Sequence, residues 1–370
     1  MDGVSIVFDE MIGRRTRVGD LAEQQTSTHA KAASALDSGQ WAAAAKYAEF
    51  MVDEADVCFR LYRQWIADLK AFLRASGIDG DEVERADAAI LEKCALPDGS
   101  PFDAHRHWDR FRGEVHEFVA LSYRETAADA HVMLDRLTET WRQTHDRDVD
   151  HIYGLMSEVQ DRLGGQGIAD MYQKLLLPLF AWRYDKFDID KNPWDEALNT
   201  LVLVCIEAAR GHLFGPGRRG EVELVEHEDR FVLRFDPCGS GGRVVRGDEI
   251  EGTPSRMEPP YGWSVSEEPA SWNHYTKVVC LYCAHCIVLM EEMPMDRFGY
   301  PVRAIDPPIY SADPSSNNQK CQYTMYKDPT AVPVEIYERV GRRKPSEFGS
   351  SHFDSPTLPD ADSFGLPGKG

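Results

Sequence analysis

Apolar residues recur along the first half of the chain at helical spacing. Trp41, Ala45, Ala48, Val52, Ala55, Phe59, Tyr62, Ile66, Leu69 and Leu73 follow one another at alternating steps of four and three. That rhythm puts them on one stripe of a long helix ending near Gly77, suited to near-antiparallel neighbours. A shorter helical stretch from Thr28 precedes it and breaks at Ser38-Gly39. The same spacing predicts further helices over Asp103 to Thr144, Val149 to Leu163, Ile168 to Trp182 and Pro193 to Leu213. Gly164-Gly165 reads as a helix stop, and Pro193 as a first-turn proline.

The texture changes after Gly215-Pro216-Gly217. Positions 221–226 alternate, with Val222 and Leu224 on one side, and Phe231, Leu233 and Phe235 alternate again. The pair predicts a hairpin turning at His227-Glu228-Asp229. Strands are expected again at Val278–Leu281, Val302–Ile305 and Gln322–Tyr326. The fold class is therefore α+β. An irregular lead-in covers residues 1–27, and a helical bundle domain 28–214. A smaller β-rich domain spans 221–344. The segment 345–370, rich in Ser, Pro, Gly and Asp, reads as a disordered tail.

Composition narrows the function. The 370 residues carry 62 acids against 41 Lys and Arg, a formal charge of −21. Such a chain repels phosphate backbones and anionic lipid, so nucleic acid and membrane surfaces are poor partners. The N-terminus lacks the apolar run of a secretory signal, and the longest apolar stretch, Leu201 to Ile206, is far too short to span a bilayer. The expected location is the cytoplasm.

Cysteine distribution carries the chemistry. Five of the eight cysteines, Cys238, Cys280, Cys283, Cys286 and Cys321, fall between residues 238 and 321. A reducing compartment favours metal ligation or redox work over structural disulfides. Zinc takes four soft or borderline ligands in a tetrahedron, and a C-x-x-C turn supplies two without strain. The expected shell is Cys238, Cys283, Cys286 and Cys321, with Cys280 outside it. Zinc is the first choice, with iron or an iron–sulfur centre second. Cys238 lies in Pro237-Cys238-Gly239-Ser240-Gly241-Gly242, a turn able to aim backbone N–H groups at a thiolate or an anion.

His285, inside the cysteine loop, and His274, just before it, are the candidate catalytic proton carriers. Asp236, Glu291 and Glu292 are nearby acids. Tyr261, Trp263, Trp272 and Tyr275 offer walls for a small-molecule substrate. The first reading is thus a zinc-dependent enzyme, hydrolase or lyase in type. The second is a non-catalytic protein with a structural zinc, whose helical region binds a protein partner or a second copy. The third is a thiol–disulfide oxidoreductase using Cys283 and Cys286. Cys283-Ala284-His285-Cys286 resembles the C-x-H-C site of disulfide isomerases over those four residues, without the surrounding βαβ pattern.

Other motifs fail on spacing. Asp146, Asp148 and Asp150 begin like a calcium loop but meet His151 at the sixth position and Ser157 at the twelfth. His105, His107 and His116 lack the Glu-x-x-His of di-iron bundles and read as solvated helix histidines. Phosphate-binding, dinucleotide-binding and serine-elbow signatures are absent from the sequence.

Overall fold

In the computed structural model the protein is described over residues 6–353, apart from 125, 236, 314 and 316–320. The long apolar stripe forms α3 (Trp41–Ala75). Its end is a glycine stop: Gly77 adopts φ 92°, and the N–H of Ile78 returns to the Leu73 carbonyl. Before it lie α1 (Leu21–Gln25) and α2 (Thr28–Asp37), the latter capped by Ser27, whose hydroxyl accepts from Ala30 N–H. Beyond it come α4 (Gly80–Lys93), α5 (Ala104–Tyr123) and α6 (Ala127–Met171). Helix α3 packs on α2, α5 and α6, and its aromatic seam stacks Phe59 on Trp108 at 4.6 Å.

The helix boundaries differ from expectation in one place that matters. The chain breaks before α6 near Thr126, not between Thr144 and Val149. Residues 145–148, polar and between the two expected helices, run through α6 fully buried at His145, Asp146 and Asp148. Gly164 does interrupt the helix, as a kink with φ 66°.

Two prolines leave matching marks. Pro178 lies in the first turn of α7 (Leu177–Tyr184), and Pro294 in that of α11 (Met293–Phe298). Each is preceded by a π turn, Tyr172–Leu176 and Val288–Glu292. A proline has no N–H for the carbonyl four residues back, so the helix widens by one residue there. The Met290 carbonyl freed by Pro294 accepts instead from Val302 and Arg303 N–H.

Helix α8 (Trp194–Gly211) leads to the predicted hairpin, β3 (Glu223–Glu226) and β4 (Arg230–Phe235). With β5 (Ala304–Asp306) and β6 (Cys321–Tyr326) it forms an antiparallel sheet in the order β3-β4-β6-β5. Leu224, Phe231, Leu233 and Met325 from the sheet share a core with Leu201, Val202 and Ile206 of α8. The strand expected at Val278–Leu281 is a single bridge, Val279 to Ile309, and the chain then turns helical as α10 (Leu281–Ile287). Short helices α9 (Gly241–Arg246) and α12 (Val334–Glu338) complete the β-containing part. The main apolar core runs from Ala32 to Leu289, so helices α2 to α6 share it with Val244, Val245 and Tyr282.

The lead-in is not irregular throughout. Ile6–Asp9 and Arg14–Arg17 pair as a hairpin, β1 and β2, and the buried Arg17 donates to the Thr26 and Glu23 carbonyls. At the other end, Phe348 packs on Tyr300, and Ser350 and Ser351 N–H groups donate to Asp188 and Asp190. Residues 345–353 of the segment read as a tail are thus docked on the body, and 354–370 lie outside the described residues. No helix among the described residues is long and apolar enough to cross a membrane.

Candidate functional site: a buried cluster of thiols

The glycine-rich turn after β4 is pressed between three elements. A Cβ at position 239 would stand 2.6 Å from the His212 carbonyl oxygen, just past α8. One at 241 would overlap the Cys283 sulfur of α10, and one at 242 would stand 2.6 Å from Cys238 Cβ. Glycine is required there so that the turn can approach the thiols. Ionic bonds clamp the same turn to α6. Arg243 Nη2 donates to Asp150 Oδ1 at 2.6 Å, and Arg256 binds both oxygens of that carboxylate at 3.0 Å. Asp146 faces Arg142, Arg218 and Arg243. Burial alone would raise both acids. The guanidinium groups outweigh it and hold Asp146 well below, and Asp150 below, the ordinary range.

The turn delivers Cys238 to the sulfur neighbourhood. Burial pushes this thiol up, while the N–H groups of Gly242 and Ser240 and the Arg246 guanidinium pull the other way. Strand β6 brings Cys321, register partner of Phe235, to the same place. Its thiol is pushed well up by burial first, then by Cys238 and Cys286. The remaining sulfurs come from α10. Cys280 is the N-cap residue, and its Sγ accepts the N–H of Cys283 at 3.4 Å. The Cys283 thiol is raised well above its usual range, first by its hydrogen bond to Cys280 and then by burial. One turn on, Cys286 Sγ lies 3.0 Å from Tyr323 Oη and 3.4 Å from His285 Nε2, and burial pushes it up to about 11.

The glycine turn, β6 and α10 thus bring the five cysteines singled out in the sequence to one region, where Cys238 and Cys280 act on both Cys283 and Cys321. Among the described residues, however, no three His, Cys, Asp or Glu side chains converge in a way that could hold a metal ion. Cys238, Cys283, Cys286 and Cys321 share a neighbourhood but form no ligand shell in this arrangement. The close pair is Cys280 with Cys283. Its C-x-x-C spacing was visible in the sequence. What the sequence did not display is the helix start at Leu281, which makes Cys280 a cap.

His285 is half-buried, with Nδ1 against the Tyr282 carbonyl and its ring edge-on to Trp65 at 5.3 Å. Burial lowers it to about 4, so the ring is neutral and Nε2 is free to accept from the Cys286 thiol. His274 is engaged elsewhere. It sits in the left-handed region at φ 54°, with Nε2 2.9 Å from Glu291 Oε2. Glu291 is buried, pairs with Arg339 and accepts the Ile305 N–H. Glu292 pairs with Arg342 at 2.7 Å. Asp236 lies outside the described residues. The aromatic residues expected to wall a pocket are dispersed. Tyr261 and Trp263 pack together near Tyr153, Trp272 meets Tyr172, and Tyr275 is exposed.

Comparison of the chain with protein-family models, with curated proteins and with solved structures finds no match.

Proposed function

We propose that the protein works by thiol–disulfide chemistry, with Cys280 and Cys283 as the reacting pair. The observation that carries this reading is the capped C-x-x-C: one sulfur at the helix start, accepting the N–H of the other cysteine at 3.4 Å. The thiolate is the form of a cysteine that attacks a disulfide. With a small-molecule disulfide, Cys280 attacks one sulfur, forms a mixed disulfide and releases a thiolate. Cys283 then attacks Cys280 and loses its proton, and the second thiol leaves. The two cysteines lose two electrons and two protons, and the small disulfide gains them. Cys280 is fully buried, so the exchange waits on local opening of the segment around it.

The test is peptide mapping after exposure of the full chain to glutathione disulfide. A Cys280–Cys283 linkage is expected, and Cys283→Ser should stop the reaction at a mixed disulfide on Cys280. Linkages between other cysteines, or none in folded protein, would refute the reading.

Zinc on Cys238, Cys283, Cys286 and Cys321, serving a hydrolase or lyase, is the second reading. The mutual proximity of those thiols favours it. It requires about one zinc per chain as isolated, lost on Cys321→Ser as well as on Cys283→Ser.

A further inference from the structure

Behind α10 lies a second polar centre, built from five elements and independent of the thiol reading. Tyr282, between the two reacting cysteines, places its Oη 2.8 Å from Tyr62 Oη of α3. Tyr62 Oη lies 2.7 Å from His212 Nδ1 and 3.5 Å from His145 Nε2, and the two ring nitrogens are 3.2 Å apart. Ser240 Oγ of the glycine turn stands 3.2 Å from the same His145 nitrogen. Cys58 Sγ is 3.8 Å from each nitrogen of His212.

Besides a hydrogen-bond chain, the arrangement brings three atoms that can carry lone pairs within 3.5 Å of one another. His145 Nδ1 lies 3.0 Å from Asp146 Oδ1, and a carboxylate only accepts, so that nitrogen carries the proton. His145 Nε2 then presents a single lone pair to three neighbours. His212 Nδ1 likewise has one in-plane position for two. The three distances 2.7, 3.2 and 3.5 Å form a triangle whose corners are each about 1.8 Å from its centre. An ion seated roughly 1 Å above that plane would be about 2.1 Å from all three atoms, the usual zinc–nitrogen length. A carboxylate fixing the far nitrogen of an imidazole is also the usual outer partner of a metal-binding histidine.

We propose that His145, His212 and Tyr62 form a binding site for a first-row divalent transition cation. Tyr282 and Ser240 oxygens stand ready as further ligands. Imidazole and phenol suit the zinc, iron and copper class rather than calcium or magnesium. His145, Tyr62 and Ser240 are buried, whereas His212 is half-buried. Only two of the three ligands are of the His, Cys, Asp or Glu type, because the third is a tyrosine.

Cobalt(II) is the probe, because its visible spectrum distinguishes nitrogen and oxygen ligands from thiolates. Full-length protein stripped with a chelator should bind about one cobalt per chain, without a thiolate-to-cobalt charge-transfer band. Zinc should displace it. His212→Gln, at the half-buried position, should weaken binding by more than about tenfold, the loss already typical of an outer-sphere partner. Tyr62→Phe should weaken it in a protein that keeps its circular dichroism spectrum. Cys280→Ser and Cys283→Ser should leave it unchanged. Folded wild-type protein that takes up neither cobalt nor zinc would overturn the proposal. So would binding that shows a thiolate band, or that survives His212→Gln in full.

Discussion

The turn from Pro237 to Gly242 faces two kinds of interior. Toward α10 and β6 it meets sulfur, and toward α6 it meets charge. Both sides are buried, yet their ionisation runs in opposite directions. Burial pushes the Cys238, Cys286 and Cys321 thiols up, and Cys283 is raised first by Cys280 and then by burial, so these sulfurs are neutral near pH 7. Asp146 and Asp150 feel the same burial but keep their charge, because Arg218, Arg243 and Arg256 face them. What separates the two sides is the partner supplied, not the depth. The ionic side is committed to holding α6 against the turn. The cysteines on the sulfur side take part in no ion pair among the described residues, so oxidation to a disulfide removes two thiol protons without breaking one.

The comparison breaks first at Asp150. Asp150→Ala leaves Arg243 and Arg256 buried without their carboxylate and should cost about 3–5 kcal/mol, read as a lowered denaturation midpoint. A loss under about 1 kcal/mol would show that those guanidinium groups find other partners.

Asp148 tests the same contrast: among the described residues its ionic partner is Arg63 alone, and burial lifts it to about 7. An acid whose folded value lies above its unfolded one favours folding while protonated. That contribution is lost as pH rises from about 4 to about 7, with a slope of at most about 1.4 kcal/mol per unit. Asp148→Asn should flatten that part of the stability profile relative to wild type. Parallel profiles would mean that Arg63 holds the carboxylate ionised throughout.

On the sulfur side the expected changes are smaller. Gly241→Ala places a methyl where the Cys283 sulfur sits and should cost about 1–3 kcal/mol. The thermal midpoint should fall, and Cys283 should alkylate at an altered rate. Removing residues from Pro345 onward strips Phe348 from Tyr300. This should cost about 1–2 kcal/mol, less than full burial of an aromatic ring. An unchanged melting temperature would show that the docking of 345–353 contributes nothing.

These contrasts also mark what the sequence could and could not display. The α3 stripe and the β3–β4 hairpin follow from periodicity, because each buries one face and solvates the other. The five cysteines drew attention by composition. The run His145-Asp146-Arg147-Asp148 misled because polarity normally signals solvent. Its partners Arg218, Arg243 and Arg63 lie 60 or more positions away along the chain, so nothing local announces their burial. His145 and His212 are separated by a comparable distance and by the ends of α6, α7 and α8. Cys280 looked dispensable while residues 278–281 read as a strand. Once Leu281 opens a helix, the same spacing makes it the capping sulfur.

The most direct measurement is a count of free thiols in folded protein across glutathione buffers from fully reducing to oxidising. The chain has eight cysteines, none of them in a disulfide in this structure. The account predicts a single reversible step from eight free thiols to six, with the two missing ones mapping to Cys280 and Cys283. A count that stays at eight while the buffer oxidises, or a lost pair that maps elsewhere, would contradict it.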